Sequence, residues 1–238
     1  MVISAALIAM SASMAPRIAY AQAGAAFELA ASDVPAKARN VGRVSRTPQR
    51  IAFDAALVGD IMAFAYGLPL DRVERRPQWM YDDRYDIAVT TADPTSLPEQ
   101  KLLLQNLLRE RFGLAVHRVS NPSPVYFLVP GSKVNLTPTE EPDAVDIPEF
   151  RGFGTVVAAT HASMSDLAAW LYSRVGLPVI DKTGITGLFD IEIPGAALSA
   201  GAEKTIPAVR NALGLVLELQ HGTAESLIID HVEKPRQN

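Results

Sequence analysis

With 238 residues, 48% of them hydrophobic and 20% charged, the chain has the apolar content for a sizeable core and not the composition of a disordered protein. A net charge of −4 provides no general attraction to nucleic acid or to anionic membrane surfaces, so no nucleic-acid partner is expected. The absence of cysteine excludes a disulfide framework, a thiolate nucleophile and a cysteine-based zinc site.

Met1 to Ala15 is an almost unbroken run of apolar and small residues, and Ala19-Tyr20-Ala21 follows it as an Ala-x-Ala cleavage site. This pattern predicts a signal peptide over residues 1–21, cut after Ala21, and a periplasmic or secreted protein with no stable membrane anchor afterwards. The run is shorter than the roughly 20 residues a membrane span needs. It departs from the usual pattern in having no Lys or Arg ahead of it.

In chain order, Phe27 to Ala31 reads as a short strand, residues 32–49 as loop, and Arg50 to Phe53 as another strand. Asp54 is the expected N-cap of a helix whose apolar face carries Leu57, Ile61, Phe64 and Ala65, with Gly67 ending it. Residues 69–83 form an irregular excursion, and the alternation from Arg84 to Val89 predicts a strand. Ser96-Leu97-Pro98-Glu99 has capping-box spacing ahead of Leu103, Leu104, Leu107, Leu108 and Phe112, which predicts a helix closed by Gly113. Leu114 to Arg118 and Val125 to Val129 read as strands, and Asn121-Pro122-Ser123-Pro124 as the turn of a hairpin between them.

Residues 131–152 read as an acidic, proline-containing linker. A strand from Thr155 to Thr160 follows, then a helix capped by Ser163 with Asp166 at its third position. A Gly-containing loop spans Thr183 to Gly187, a short helix Pro207 to Leu213, and a last strand surrounds Leu227 to Ile229.

The second half repeats the order of the first. Gly67-Leu68-Pro69 returns as Gly176-Leu177-Pro178, Tyr85-Asp86-Ile87 as Phe189-Asp190-Ile191, and Phe112-Gly113-Leu114 as Leu213-Gly214-Leu215. The expected fold class is therefore α+β: two tandem, similar small domains over 27–130 and 153–235, each with a helix pair packed on a mainly antiparallel sheet.

No complete catalytic set emerges. The four histidines, His117, His161, His221 and His231, lack the spacing of a helical zinc site, although His221 and His231 are expected to approach across a final hairpin. Ser163, Ser165, His161 and Asp166 read as a capped helix start, and no Gly-x-Ser-x-Gly elbow is present. Asp181-Lys182-Thr183-Gly184 matches the opening of the phosphorylated-aspartate motif of ion-pumping ATPases, but Ile185 stands where that motif has Thr, and the string reads as a loop. No catalytic, cofactor-binding or metal-binding residue is assigned. The candidate interaction residues are Arg72, Arg75, Arg76 and Arg84 around Trp79, itself read as a core plug, together with Asp181, Lys182 and Thr183.

Several strings together resemble a large bacterial family of soil-associated proteins with a domain of unknown function. They are Phe27-Glu28-Leu29-Ala30, Ala65-Tyr66-Gly67, Pro77-Gln78-Trp79, Arg84-Tyr85-Asp86-Ile87, Leu107 to Leu114, Val116-His117-Arg118, Pro178 to Asp190, and Ile229 to Pro235. The resemblance covers the whole mature chain and implies an exported protein, with no catalytic residue to carry over. Some relatives look fused to sensor-type membrane metallopeptidases. The module order is also similar to the short N-terminal domains of secretins and TonB-dependent receptors. The expected function is an exported, non-enzymatic binding protein for an unknown protein or small-molecule ligand. A sensory ectodomain acting beside a membrane metallopeptidase is a second expectation. An exported hydrolase-like enzyme using His161 or His231 with Asp181 or Asp230 is a third.

Overall fold

The computed structural model describes residues 25–31, 42–140, 147–195 and 201–235, and the expected signal peptide lies outside them. The fold is mixed α/β, with three mainly antiparallel sheets and four α-helices among the described residues. Strands β1 (Ala25–Ala31), β2 (Arg43–Thr47), β3 (Arg50–Leu57) and β5 (Arg84–Thr91) form the first sheet in the order β1-β5-β3-β2. Between β3 and β5 the chain runs through helix α1 (Val58–Tyr66), a 3-10 turn, the two-residue strand β4 (Val73–Glu74) and a second 3-10 turn. Helix α2 (Leu97–Phe112) then leads into β6 (Ala115–Pro130).

The remainder follows the same order. Strands β7 (Thr137–Pro138), β8 (Arg151–Phe153), β9 (Val156–Ala162) and β11 (Phe189–Pro194) form a second sheet in the order β7-β11-β9-β8. Helix α3 (Met164–Val175) and β10 (Val179–Asp181) lie between β9 and β11, and helix α4 (Ala202–Leu213) leads into β12 (Leu215–His231). Strands β7 and β8 flank residues 141–146 within the segment expected to be a linker.

The hairpin expected at Asn121–Pro124 does not form. Strand β6 continues through these residues, because β12 pairs with it along its whole length, from Leu215 opposite Pro130 to His231 opposite Ala115. The prolines are tolerated where a strand can spare a donor, and Pro122 and Pro124 alternate along one edge position of the ladder. A third sheet results, in the order β10-β6-β12-β4, with β10 and β4 pairing parallel to β6 and β12 respectively. His221 and His231 consequently lie ten positions apart on one strand, roughly 33 Å at strand rise, and do not meet.

Two cores sit on this shared sheet. The first gathers Ile51, Phe53, Ile61, Met62, Ile87, Leu104, Leu107, Leu108 and Phe112, and it also takes Leu227 and Ile229 from β12. The second gathers Val157, Leu167, Leu171, Ile191, Ile193, Val209 and Leu215, and it takes Leu128 from β6. Each core is thus completed by a strand from the other half of the chain.

Local chemistry explains the element ends. In α2 the Ser96 side chain caps the Glu99 N–H while the Glu99 carboxylate accepts from Ser96 N at 2.8 Å. Ser163 and Asp166 make the same reciprocal box at the start of α3. Asp54 does not cap α1: β3 runs on past it to Leu57, which is the N-cap residue and provides no side-chain bond. Helix α4 is longer than expected, beginning at Ala202 and holding Pro207 inside. At its end Gly214 has φ 66°, and a Cβ there would lie 1.8 Å from the Lys133 carbonyl oxygen, so only glycine fits.

The repeated aromatic-Asp-Ile string has a specific structural job. The register of β3 against β5 slips between Phe53 and Ala56, and that of β9 against β11 slips between Phe189 and Ile191. The bulged residues Ala55 and His161 have φ of 50° and 54°, a costly conformation outside glycine. Asp86 Oδ1 accepts from Ala55 N at 2.7 Å, and Asp190 Oδ1 accepts from His161 N at 3.2 Å. The flanking Tyr85 and Ile87, and Phe189 and Ile191, are buried in the two cores.

Because Leu227 is 1% exposed and lies in the first core, Leu227→Ala is expected to destabilise the protein by about 2–5 kcal/mol. Trp79 belongs to the first core and Trp170 to the second, so in a Trp170→Phe background the loss reads out as Trp79 fluorescence during denaturant unfolding. An unchanged midpoint contradicts the role given to β12.

Candidate functional site

The candidate residues of the first half lie on the connection from β4 to β5 and just before it. Arg72, with Asp71, reaches across to the Tyr172 hydroxyl on α3, which donates to the Asp71 carboxylate. Burial raises the Tyr172 pKa, and the bond to Asp71 adds to the rise. Arg75 has φ 60° and is exposed. The Arg76 guanidinium lies 4.6 Å from the Tyr81 ring centroid, and its stem packs so close to Gly59 that a Cβ there would stand 3.6 Å from Arg76 Cδ. Arg84 Nη1 donates to the Ala55 carbonyl at 2.8 Å, bracing the bulge. Trp79 stacks on Phe112 with centroids 6.2 Å apart and packs on the first core, as expected of a plug. The tail covers it: Lys234 Nζ lies 6.0 Å from the Trp79 ring and 2.7 Å from Asp83 Oδ2.

Asp60, in the first turn of α1, faces both Arg84 and Arg76. Desolvation outweighs these two cations and raises its carboxyl pKa above the usual value, an effect that solvent screening moderates because the residue is exposed.

Asp181 ends β10, and Lys182 and Thr183 open the connection after it. Asp181 Oδ1 accepts from Thr183 N at 2.9 Å and from Thr183 Oγ1 at 2.7 Å, and Thr183 Oγ1 accepts from Ile185 N at 3.1 Å. One oxygen of the carboxylate thus braces its own turn, with Thr183 buried, which gives the ATPase-like string a structural role. Lys182 Nζ sits 5.8 Å from the Phe127 ring. The arginine group and this turn are not brought together. Strand β4 pairs at Leu227–Ile228 and β10 at Tyr126–Leu128, positions roughly 30 Å apart along the long ladder at strand rise.

Among the described residues neither His161 nor His231 makes a side-chain hydrogen bond to Asp181 or Asp230. Asp230 accepts from or pairs with His117 Nδ1 at 2.8 Å, and His231 Nε2 lies 3.0 Å from Glu233 Oε1. His161 Nδ1 is buried without a hydrogen-bond partner among the described residues. No cluster of three metal-ligating side chains occurs among the described residues, and no helix among them is long and apolar enough to cross a membrane.

A concavity that the sequence reading missed lies between the two outer sheets. It encloses about 700 Å³ and is lined by Val44, Ser45 and Arg46 of β2, by Arg151 and Phe153 of β8, by Ala158, Ala159 and Thr160 of β9, and by residues 147–149. Phe153 is 65% exposed and Val44 is 41% exposed, so both present apolar surface to solvent. Arg46 is held in place from behind: its Nε donates to Gln100 Oε1 at 2.7 Å, and Gln100 Nε2 donates to the Thr47 carbonyl at 2.8 Å. Gln100 is 1% exposed, so a buried side chain on α2 fixes the position of β2.

The raised Asp60 pKa has a signed consequence. Folding favours the protonated carboxyl, so its contribution is full below the unfolded carboxylate pKa and is lost as pH rises through the higher folded value. Asp60→Asn is therefore expected to be more stable than the parent at neutral pH, with the difference vanishing in acid. Urea midpoints measured across pH test this, and a variant less stable at neutral pH would show the Arg76 and Arg84 attraction to dominate.

No curated protein and no solved structure shows significant similarity to the chain. One family does match, over residues 59–232, from the first turn of α1 to the residue after β12, and so across both cores and the shared sheet. The chain belongs to the DUF3738 family of proteins of unknown function.

Proposed function

We propose that the chain is an exported, non-enzymatic binding protein, built from two copies of one α+β unit, that holds its ligand in the groove between β2 and β8–β9. The groove carries this reading. Its volume of about 700 Å³ falls within the roughly 300–1,000 Å³ typical of ligand sites. Its walls combine exposed Phe153 and Val44 with polar strand edges.

The duplication is supported by the sheet orders. Adding six to each strand label, and counting on from β12 to β1, turns β1-β5-β3-β2 into β7-β11-β9-β8, and turns β10-β6-β12-β4 into itself read backwards. Gly113 and Gly214, which end α2 and α4, lie as far apart in sequence as the facing residues Pro122 and Thr223 of the long ladder. A two-fold axis through that facing pair relates the halves. On this reading β2 and β8 are equivalent edges, and the groove lies where the two copies turn the same edge toward each other.

Export is supported by the apolar run and the Ala19-Tyr20-Ala21 site. A photoreactive amino acid at position 153 is expected to crosslink a ligand in the native host after N-terminal sequencing has found cleavage behind Ala21. The same group at Leu102, 58% exposed on α2, serves as the control. Retention of Met1 on a cytoplasmic protein would overturn the export reading, and equal crosslinking at both positions would overturn the groove.

A further inference from the structure

We infer that β1 is a docking edge for a second copy of the chain, whose own β1 pairs with it antiparallel and joins two first sheets into one. The direction of the backbone groups shows which of them are free. Thr91 N donates to the Gln49 carbonyl, on the β3 side of β5. These groups alternate along a strand, so Thr90, Ala88 and Asp86 point the other way, to Ala26, Glu28 and Ala30 of β1. The N–H and C=O groups of Ala25, Phe27, Leu29 and Ala31 therefore point away from the sheet. Among the described residues β1 pairs with β5 alone, so no strand among them takes these groups up.

The other outer edges are blunted. Strand β2 carries Arg43 and Arg46, β8 is three residues long with Arg151, and β7 is two residues long and ends in Pro138. Strands β4 and β10, at the edges of the shared sheet, are two and three residues long. Cations, proline and shortness all discourage edge pairing. The seven residues of β1, Ala-Ala-Phe-Glu-Leu-Ala-Ala, use none of these devices. Ala31 lies opposite Tyr85 and Pro138 opposite Phe189, the same place in the two repeated strings. Thr139 N donates to the Leu188 carbonyl, so the neighbouring Pro138 faces outward and withholds a donor where β1 presents one.

A second copy fits this edge because the strand is close to a palindrome. Read from either end, β1 runs small, small, large, Glu28, large, small, small. Two-fold pairing about Glu28 sets Phe27 opposite Leu29, Ala25 opposite Ala31, and Ala26 opposite Ala30. In that register every outward group of one copy meets an outward group of the other, the self-complementarity that an isologous contact demands. The adverse contact is Glu28 opposite Glu28. Arg50 offsets it: its Nη2 lies 3.5 Å from Glu28 Oε2 and draws the carboxylate back over its own sheet, away from the open edge.

The chain has no cysteine, so introduced cysteines report the register. Glu28→Cys is expected to crosslink to itself on oxidation, because residues facing at a non-hydrogen-bonded pair stand about 4.5 Å apart at Cα, within disulfide reach. Ala26→Cys is expected to crosslink with Ala30→Cys in a mixture and not with itself. Without oxidant, sedimentation of the parent chain, as its native host yields it, is expected to show a concentration-dependent dimer. Ala31→Pro removes an N–H that β5 does not use, so it is expected to weaken that dimer about tenfold or more with the unfolding midpoint of the monomer unchanged. Should the midpoint fall, the cysteine pairs decide alone. A monomer at all concentrations overturns the inference, and so does a dimer in which Glu28→Cys crosslinks no faster than Leu102→Cys on α2. Self-crosslinking of Phe153→Cys in place of Glu28→Cys moves the contact to the groove and overturns it as well.

Discussion

The antiparallel ladder between β6 and β12 is the constraint on which the rest of this structure depends. It runs from Ala115–Pro130 on one strand to Leu215–His231 on the other, roughly 50 Å at strand rise. Each strand serves both cores: Leu114 and Val116 beside β6's start, with Leu227 and Ile229 of β12, close the first, and Leu128 with Leu215 and Leu217 close the second. The short strands β4 and β10 each attach to the long strand of the opposite half. Neither half can complete its sheet or its core alone. Pairing between residues about a hundred positions apart also places much of the loop-closure cost before the reward, which favours slow folding.

A second constraint is local and recurs. Asp86 and Asp190 sit opposite the bulges of β3 and β9 and accept the N–H groups of Ala55 and His161, the residues forced to positive φ. The bulge bends the strand just before a helix begins, at Val58 in one half and Met164 in the other. The two helix starts then solve the same problem differently. Ser163 and Asp166 form a reciprocal box, whereas Leu57 offers no cap and leaves Asp60 facing Arg76 and Arg84.

Much of the local structure was legible in the residues. The Ser96–Glu99 and Ser163–Asp166 spacings, the glycine stops at Gly67, Gly113, Gly176 and Gly214, and the alternation of Arg84 to Val89 all report short-range preferences, and the corresponding elements form. The failures are long-range. Asn121-Pro122-Ser123-Pro124 has the composition of a turn, yet a partner strand about a hundred residues away holds it extended. Asp54 has the composition of a cap, yet the β3–β5 ladder carries the strand past it. The groove was invisible for the same reason: Val44 and Phe153 are far apart in the chain, and only the meeting of two sheets gives their exposure a meaning.

The ladder also bears on how a ligand would be held. The connections that carry Arg75, Arg76 and Trp79 in one half and Lys182 and Thr183 in the other lie at opposite ends of the shared sheet, so they cannot act on one small molecule together. The edges of β2 and β9 do converge. Their relative position is set by a paired sheet whose two strands each run through both halves, and β2 is further pinned by buried Gln100. A site framed in this way needs no hinge closure to form, so the ordering cost of binding falls on the ligand.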